Sequence, residues 1–209
     1  MARTRTDVRA DLVAATERLV TERGVDEVSL REVVAEAGAT NASAVQYHFG
    51  GRSGLLRAVL AKHAPAVEAR RHALLDAYEA RGAEDLRELA GAFVRPLAAE
   101  LDEPDGGPGY LQLLAHVLNR PNPSFDPDVD RSIDSTNRWR VMVEPLLEAD
   151  AVALHRRFVA MQFAVTDLAR RARNRPDGDN ARYTSHLVDL VTAVLGAPLS
   201  TETRRLTGR

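Results

Sequence analysis

The sequence predicts an all-α protein in two parts: a small N-terminal unit of three helices, and a larger C-terminal helical bundle. Three observations predict it. Apolar residues recur at intervals of three and four along nearly the whole chain, no run alternates apolar and polar residues long enough to make a strand, and glycine or proline breaks separate the periodic stretches. The 209 residues include no cysteine, which excludes a disulfide framework, a Cys-ligated metal and a thiol nucleophile. The fold must therefore rest on packing, for which a chain of this length supplies ample core.

Val8, Leu12, Ala15 and Leu19 mark a first helix, stopped by Gly24. Ser29 and Glu32 are spaced as a capping box, in which each side chain satisfies the other's free backbone N–H, and Leu30, Val33, Val34 and Ala37 continue a second, short helix to Gly38. Thr40 and Asn41 are good N-caps for a third helix running to about Phe49, before the Gly50-Gly51 break. After Ser53 the helices lengthen. Leu56, Leu60, His63, Val67, Arg71, Leu74 and Tyr78 share one stripe, which Pro65 should kink. Leu86, Leu89, Phe93, Leu97 and Leu101 form the next stripe, with Pro96 inside it. A Gly/Pro loop over 105–109 precedes a segment, Tyr110 to Leu118, that is apolar almost all round and so belongs in the interior. A Pro-rich loop over 120–128 then leads into helices at about 127–148, 151–172 and 181–195. This places a domain boundary between residues 52 and 53.

Helix two, the turn at Gly38-Ala39 and the short third helix have the form of a helix-turn-helix. On a helical wheel Ala42, Val45 and Phe49 face the core, while Thr40, Ser43, Ala44 and Tyr47 face outward, flanked by Gln46 and His48. Small residues and polar tips suit insertion into a major groove. Gln46 is equipped for a bidentate contact to adenine, Ala44 for a thymine methyl, and Tyr47, His48 and the hydroxyls for phosphates. Asn41 sits at the start of the same helix, Arg52 just beyond its end, and Arg3 and Arg5 form an arm that could follow phosphates or enter the minor groove.

The segment from Leu12 to Leu56 resembles the DNA-binding domain of TetR-family transcriptional regulators. The resemblance lies in Glu22-Arg-Gly24, Ser29-Leu-Arg-Glu-Val-Val-Ala-Glu-Ala-Gly38, Ala44-Val-Gln-Tyr-His-Phe49 and Arg52-Ser-Gly-Leu55. Tyr47-His48-Phe49 matches the family's aromatic-His-Phe ending of the reading helix, and Arg52 its phosphate-contacting basic residue; Gly38 to Phe49 is one residue longer than the commonest family spacing. The resemblance implies a homodimer on a roughly palindromic double-stranded DNA operator, most often a repressor, and a C-terminal domain that senses a small molecule.

The last two predicted helices carry apolar faces wider than one core requires: Leu154, Phe158, Met161, Val165 and Leu168 on one, Tyr183, Leu187, Leu190 and Val194 on the other. This fits dimerisation through those helices, as the family likeness implies. For a lipophilic ligand the candidate wall is Phe93, Trp139, Met142, Phe158, Met161 and Gln162; His63, Arg71, Gln112 and His116 are polar groups trapped among apolar neighbours, of which Arg71 or His116 would take an anionic or hydroxyl group. The alternative for Arg71 is a pair with Asp76 or Glu79.

No cofactor or metal is expected. The six histidines include no pair at i, i+3 or i+4, and neither a metalloprotease His-Glu-x-x-His nor a nucleophile elbow is present, so an enzyme is not the expected class. The alternative is a helical small-molecule-binding protein or enzyme whose N-terminal unit is purely structural. No apolar run approaches the length needed to span a bilayer, so the expected location is the cytoplasm. The net charge of −2 hides a change of sign: residues 1–63 carry 9 basic and 8 acidic side chains, leaving −3 for the remainder. A reader of net +1 binds DNA weakly alone, which makes pairing necessary and salt dependence strong.

Overall fold

A computed structural model describes residues 5–39, 43–82, 84–120, 134–174 and 179–207. Among them there is no strand. Eleven helices run in the order α1 (Arg5–Arg23), α2 (Leu30–Glu36), α3 (Ala44–Phe49), α4 (Arg52–Arg81), α5 (Leu86–Ala98), α6 (Gly107–Leu118), α7 (Ser135–Val143), α8 (Ala149–Ala153), α9 (Arg156–Asn174), α10 (Asn180–Gly196) and α11 (Thr201–Thr207). They fall into two compact units. The first comprises Met1–Ala66, Ala99–Asp126 and Thr166–Asp177, and the second Val67–Ala98, Pro127–Val165 and Gly178–Arg209. The border therefore falls within α4 and α9 and at the end of α5.

In the first unit α1 is buried on more than one side. Leu12, Ala15 and Leu19 are buried as their spacing predicts, but so are Val13, Thr16, Glu17 and Val20. The threonines Thr16 and Thr21 satisfy their hydroxyls on the carbonyls four residues back, each at 2.7 Å. Gly24, at φ 89°, ends the helix, and a 3-10 turn over Val25–Glu27 leads to α2. The predicted capping box is in place: Ser29 N–H donates to Glu32 at 2.9 Å and Glu32 N–H donates to the Ser29 hydroxyl at 3.3 Å. The core joins Leu12, Val33, Val45, Leu55, Val59 and Leu113 from five helices. As expected, α6 is buried nearly all round.

In the second unit Asp85, Asp134 and Asp179 cap α5, α7 and α10 through their side chains. There α5 packs on both α10 and α7. Trp139 is fully buried beside Phe93, with ring centroids 4.8 Å apart, and its indole N–H donates to the Leu89 carbonyl at 2.7 Å.

Several boundaries differ from the sequence expectation. The helix expected over 127–148 is described only as Ser135–Val143 with a 3-10 turn over Glu144–Leu146; its expected start lies outside the described residues. The stretch expected as one helix over 151–172 is two, because His155 takes φ 56° between α8 and α9. The short α11 was not anticipated; a hydroxyl cap from Ser200 to the Thr203 N–H opens it, at 3.1 Å.

Candidate nucleic-acid interface

Helix α3 starts two or three residues later than its predicted caps imply. Thr40 and Asn41 lie outside the described residues, as does Arg3, and the Arg5 side chain is likewise not described. Ser43 occupies the N-cap position without a side-chain cap bond. The inward face is Val45, buried at 1%, with Phe49 and Ala44 packed partly against the same core. Its outward face is Ser43, Gln46 and Tyr47, the last 68% exposed and so the most prominent side chain of the helix. His48 is half-buried and meets the Tyr47 ring edge-on at 5.0 Å. The helix closes on Gly50 at φ 68°, a left-handed cap that favours glycine.

Two contacts hold this helix, and a third fixes the start of α4 that follows it. The Arg9 guanidinium of α1 lies 5.1 Å over the Phe49 ring. Gly54 brings the first turn of α4 onto α3, where a Cβ would stand 1.7 Å from the Phe49 carbonyl oxygen. Arg52, expected to face phosphate, is engaged inward: its guanidinium donates to the carbonyls of Val28 and, at 2.7 Å, Val25. It therefore ties the start of α4 to the turn between α1 and α2.

A second cluster in this unit joins α1, α4 and the 3-10 turn Ala99–Leu101. The imidazole of His63 bridges Glu100 at 2.7 Å and Glu17 at 3.0 Å, all three side chains being buried. Lys62, the chain's one lysine, bonds the other oxygen of Glu17 at 2.8 Å. Burial opposes a charge on Lys62, but the bonds to Glu17 and Asp105 outweigh it and raise its pKa. Among the described residues no His, Asp or Glu group is arranged to hold a metal ion.

The predicted ligand residues divide. Arg71, Phe93 and Trp139 come together in the second unit: the Arg71 guanidinium sits 5.2 Å over Phe93 and donates to the hydroxyls of Ser135 at 2.9 Å and Thr136 at 3.0 Å. Its acidic partner is Glu68, at 3.3 Å, rather than Asp76 or Glu79, which pair with Arg138. Met142, Met161 and Gln162 are half-buried, while Phe158 is 41% exposed. His116 belongs to the first unit, with Nδ1 3.5 Å from Asp26 and Nε2 accepting from Arg120 at 2.9 Å. Burial lowers its pKa despite Asp26, consistent with a neutral ring that accepts from a guanidinium. A groove of about 360 Å³, which sequence reasoning missed, lies between α4 and α5 over Leu74, Tyr78, Arg81, Glu88 and Arg95. No helix among the described residues is long and apolar enough to cross a membrane.

The three-helix head of the first unit thus presents the polar and aromatic side chains of Ser43, Gln46 and Tyr47 outward. Residues 12–59 match the family model of the bacterial regulatory proteins, tetR family. Among solved structures the chain is similar to RolR in complex with resorcinol, at 18% identity and TM-score 0.44 over 98% of this chain and 95% of that one. It is also similar to a gamma-butyrolactone receptor (ArpA-like protein), at 20% identity and TM-score 0.44, covering 90% and 98% of the two chains. A third likeness is a TetR-family regulator from Streptomyces coelicolor, at 17% identity and TM-score 0.42, covering 91% and 95%. No curated protein sequence matches the chain.

Proposed function

We propose that the protein is a homodimeric repressor that reads a roughly palindromic operator through α3 and is released by a small lipophilic ligand. The observation that carries this reading is the outward face of α3, where Gln46 and Tyr47 project from a helix whose other side is locked into the core. Gln46 reads a base edge, and Tyr47, Ser43 and His48 position the helix on phosphates, while Ala44, expected on the outward face, packs partly against the core instead. Arg52 supports the reading by holding the loop before α2; Arg3, Arg5, Thr40 and Asn41 are the further candidates for DNA contact.

Dimerisation is supported by apolar side chains exposed in the second unit, among them Leu154 at the end of α8, Phe158 and Val159 on α9, and Leu190 on α10. The effector sits against Phe93 and Trp139, with Arg71 as its polar anchor and Met142, Met161 and Gln162 around it. It acts by moving α4, whose first turn adjoins α3, so that the two heads of a dimer no longer match successive major grooves.

Fluorescence anisotropy with DNA fragments from around the protein's own gene tests the reading. Specific, salt-sensitive binding is expected. Tyr47→Ala should weaken binding to every sequence, whereas Gln46→Ala should relax preference at one base position by about 1–3 kcal/mol. Binding that no fragment elicits, or that is indifferent to both substitutions, would overturn it.

A further inference from the structure

We infer that His63 is a positioning residue for DNA reading: a doubly protonated imidazole pinned between Glu17 and Glu100 fixes the first helix of the reading head against α4. The inference rests on the DNA-binding reading above. With both carboxylates ionised, the geometry favours a doubly protonated ring. Nδ1 faces a carboxylate oxygen of Glu100 at 2.7 Å and Nε2 one of Glu17 at 3.0 Å. A neutral imidazole has one N–H, so its second nitrogen would turn a lone pair toward a carboxylate; only the imidazolium donates to both.

The surroundings leave the ring no easy retreat. Tyr110 of α6 stacks on it at 4.9 Å, and Lys62 and Asp105 complete the charged groups around Glu17. One imidazolium and one ammonium balance the two buried carboxylates. Beside them α1 approaches α6 closely, because a Cβ on Gly109 would fall 2.6 Å from the Glu17 carbonyl oxygen. Helix α1 is thus held at Glu17 by charge on one side and by backbone contact on the other. Its opposite end carries Arg9 over Phe49 of the reading helix.

Loss of the His63 proton leaves a buried carboxylate facing a lone pair, which separates α1 from α4 and displaces the head. Burial works against the charge, but the hydrogen bonds that the ring donates to Glu100 and Glu17 prevail and carry the pKa from 6.5 to about 9. A raised value means that the tie is fully present below about 6.5 and is lost as pH rises through about 9.

The test combines NMR titration of the His63 ring in the full chain with operator anisotropy between neutral pH and about pH 10. The expected results are a His63 transition near 9 and at least a tenfold loss of wild-type affinity across it. His63→Gln should bind more weakly at neutral pH and with a flat profile, and His63→Lys should restore binding and move its loss to higher pH. Should His63→Gln fail to fold, Glu100→Gln must move the loss to lower pH. A His63 transition at or below 6.5, or an equal alkaline loss in His63→Gln, overturns the inference. A wild-type chain that binds no DNA at any pH while His63 titrates near 9 overturns the DNA-binding reading, and the role in reading with it.

Discussion

The interior of the first unit and the surface of the second treat their misfits in opposite ways. The first unit buries charged side chains, Glu17, His63 and Glu100, and satisfies them with one another and with Lys62. The second unit instead leaves Val141, Leu154, Phe158, Val159 and Leu190 exposed. A buried ion cluster adds little net stability over an apolar core, but its geometry is exacting, so it serves to fix helices in one arrangement. An exposed apolar set costs solvation and gains nothing until something covers it. The contrast fits the proposed function, in which the orientation of the head matters and a second copy covers the exposed apolar residues of the body.

The largest expected effect lies in the body. Trp139→Ala removes a fully buried indole, its contact with Phe93 and its bond to Leu89, and should cost about 3–5 kcal/mol in chemical denaturation. If the units are energetically separable, helicity of the head and native amide exchange around Val33 and Val45 should survive this loss. Simultaneous melting of both would show that the head depends on the body and would break the contrast.

The next effect separates surface from interior. Phe158→Asp places a charge on a position 41% exposed, and the stability of the isolated chain should change by only about 0.5 kcal/mol. Sedimentation should nevertheless report half the wild-type mass, and operator affinity should fall by more than about tenfold, because each head would then bind alone. An unchanged mass would mean that the exposed apolar residues serve some other purpose.

Much of this contrast was legible in the residues. The capping box at Ser29 and Glu32, the stop at Gly24 and the stripe through Leu12 and Leu19 are local signals, and the structure realises them as read. The wheel for α3 likewise separated Val45 from Tyr47 correctly. What escaped depends on tertiary approach. His63, on an apolar stripe, gives no sign that Glu17 and Glu100 will close on it from 46 and 37 residues away. Arg52 reads as a free cation after a helix, whereas the fold turns it onto two carbonyls of the preceding loop. His116 shares an apolar helix with buried neighbours, yet belongs with Asp26 and not with Arg71. Periodicity tells which face is inward, not which distant segment meets it.

The smallest effect distinguishes the two devices that set the head. Ser29→Ala deletes the cap of α2 and should cost about 1 kcal/mol in thermal or chemical unfolding. Glu32 is the pH-sensitive half of that cap: hydrogen bonds from the Ser29 hydroxyl and backbone N–H, then from Arg23, lower its pKa from 4.5 to about 2. A lowered value means that its contribution is present above about 4.5 and disappears as pH falls through about 2. The cap is local and acid-sensitive, whereas the His63 tie is tertiary and alkali-sensitive. Amide exchange at the start of α2, followed across pH, should therefore rise only at the acid end in the wild type and at all pH values in Ser29→Ala. If α2 loosened at alkaline pH as well, the head would yield as one body when His63 loses its proton, and α1 could not move independently of the helix-turn-helix it supports.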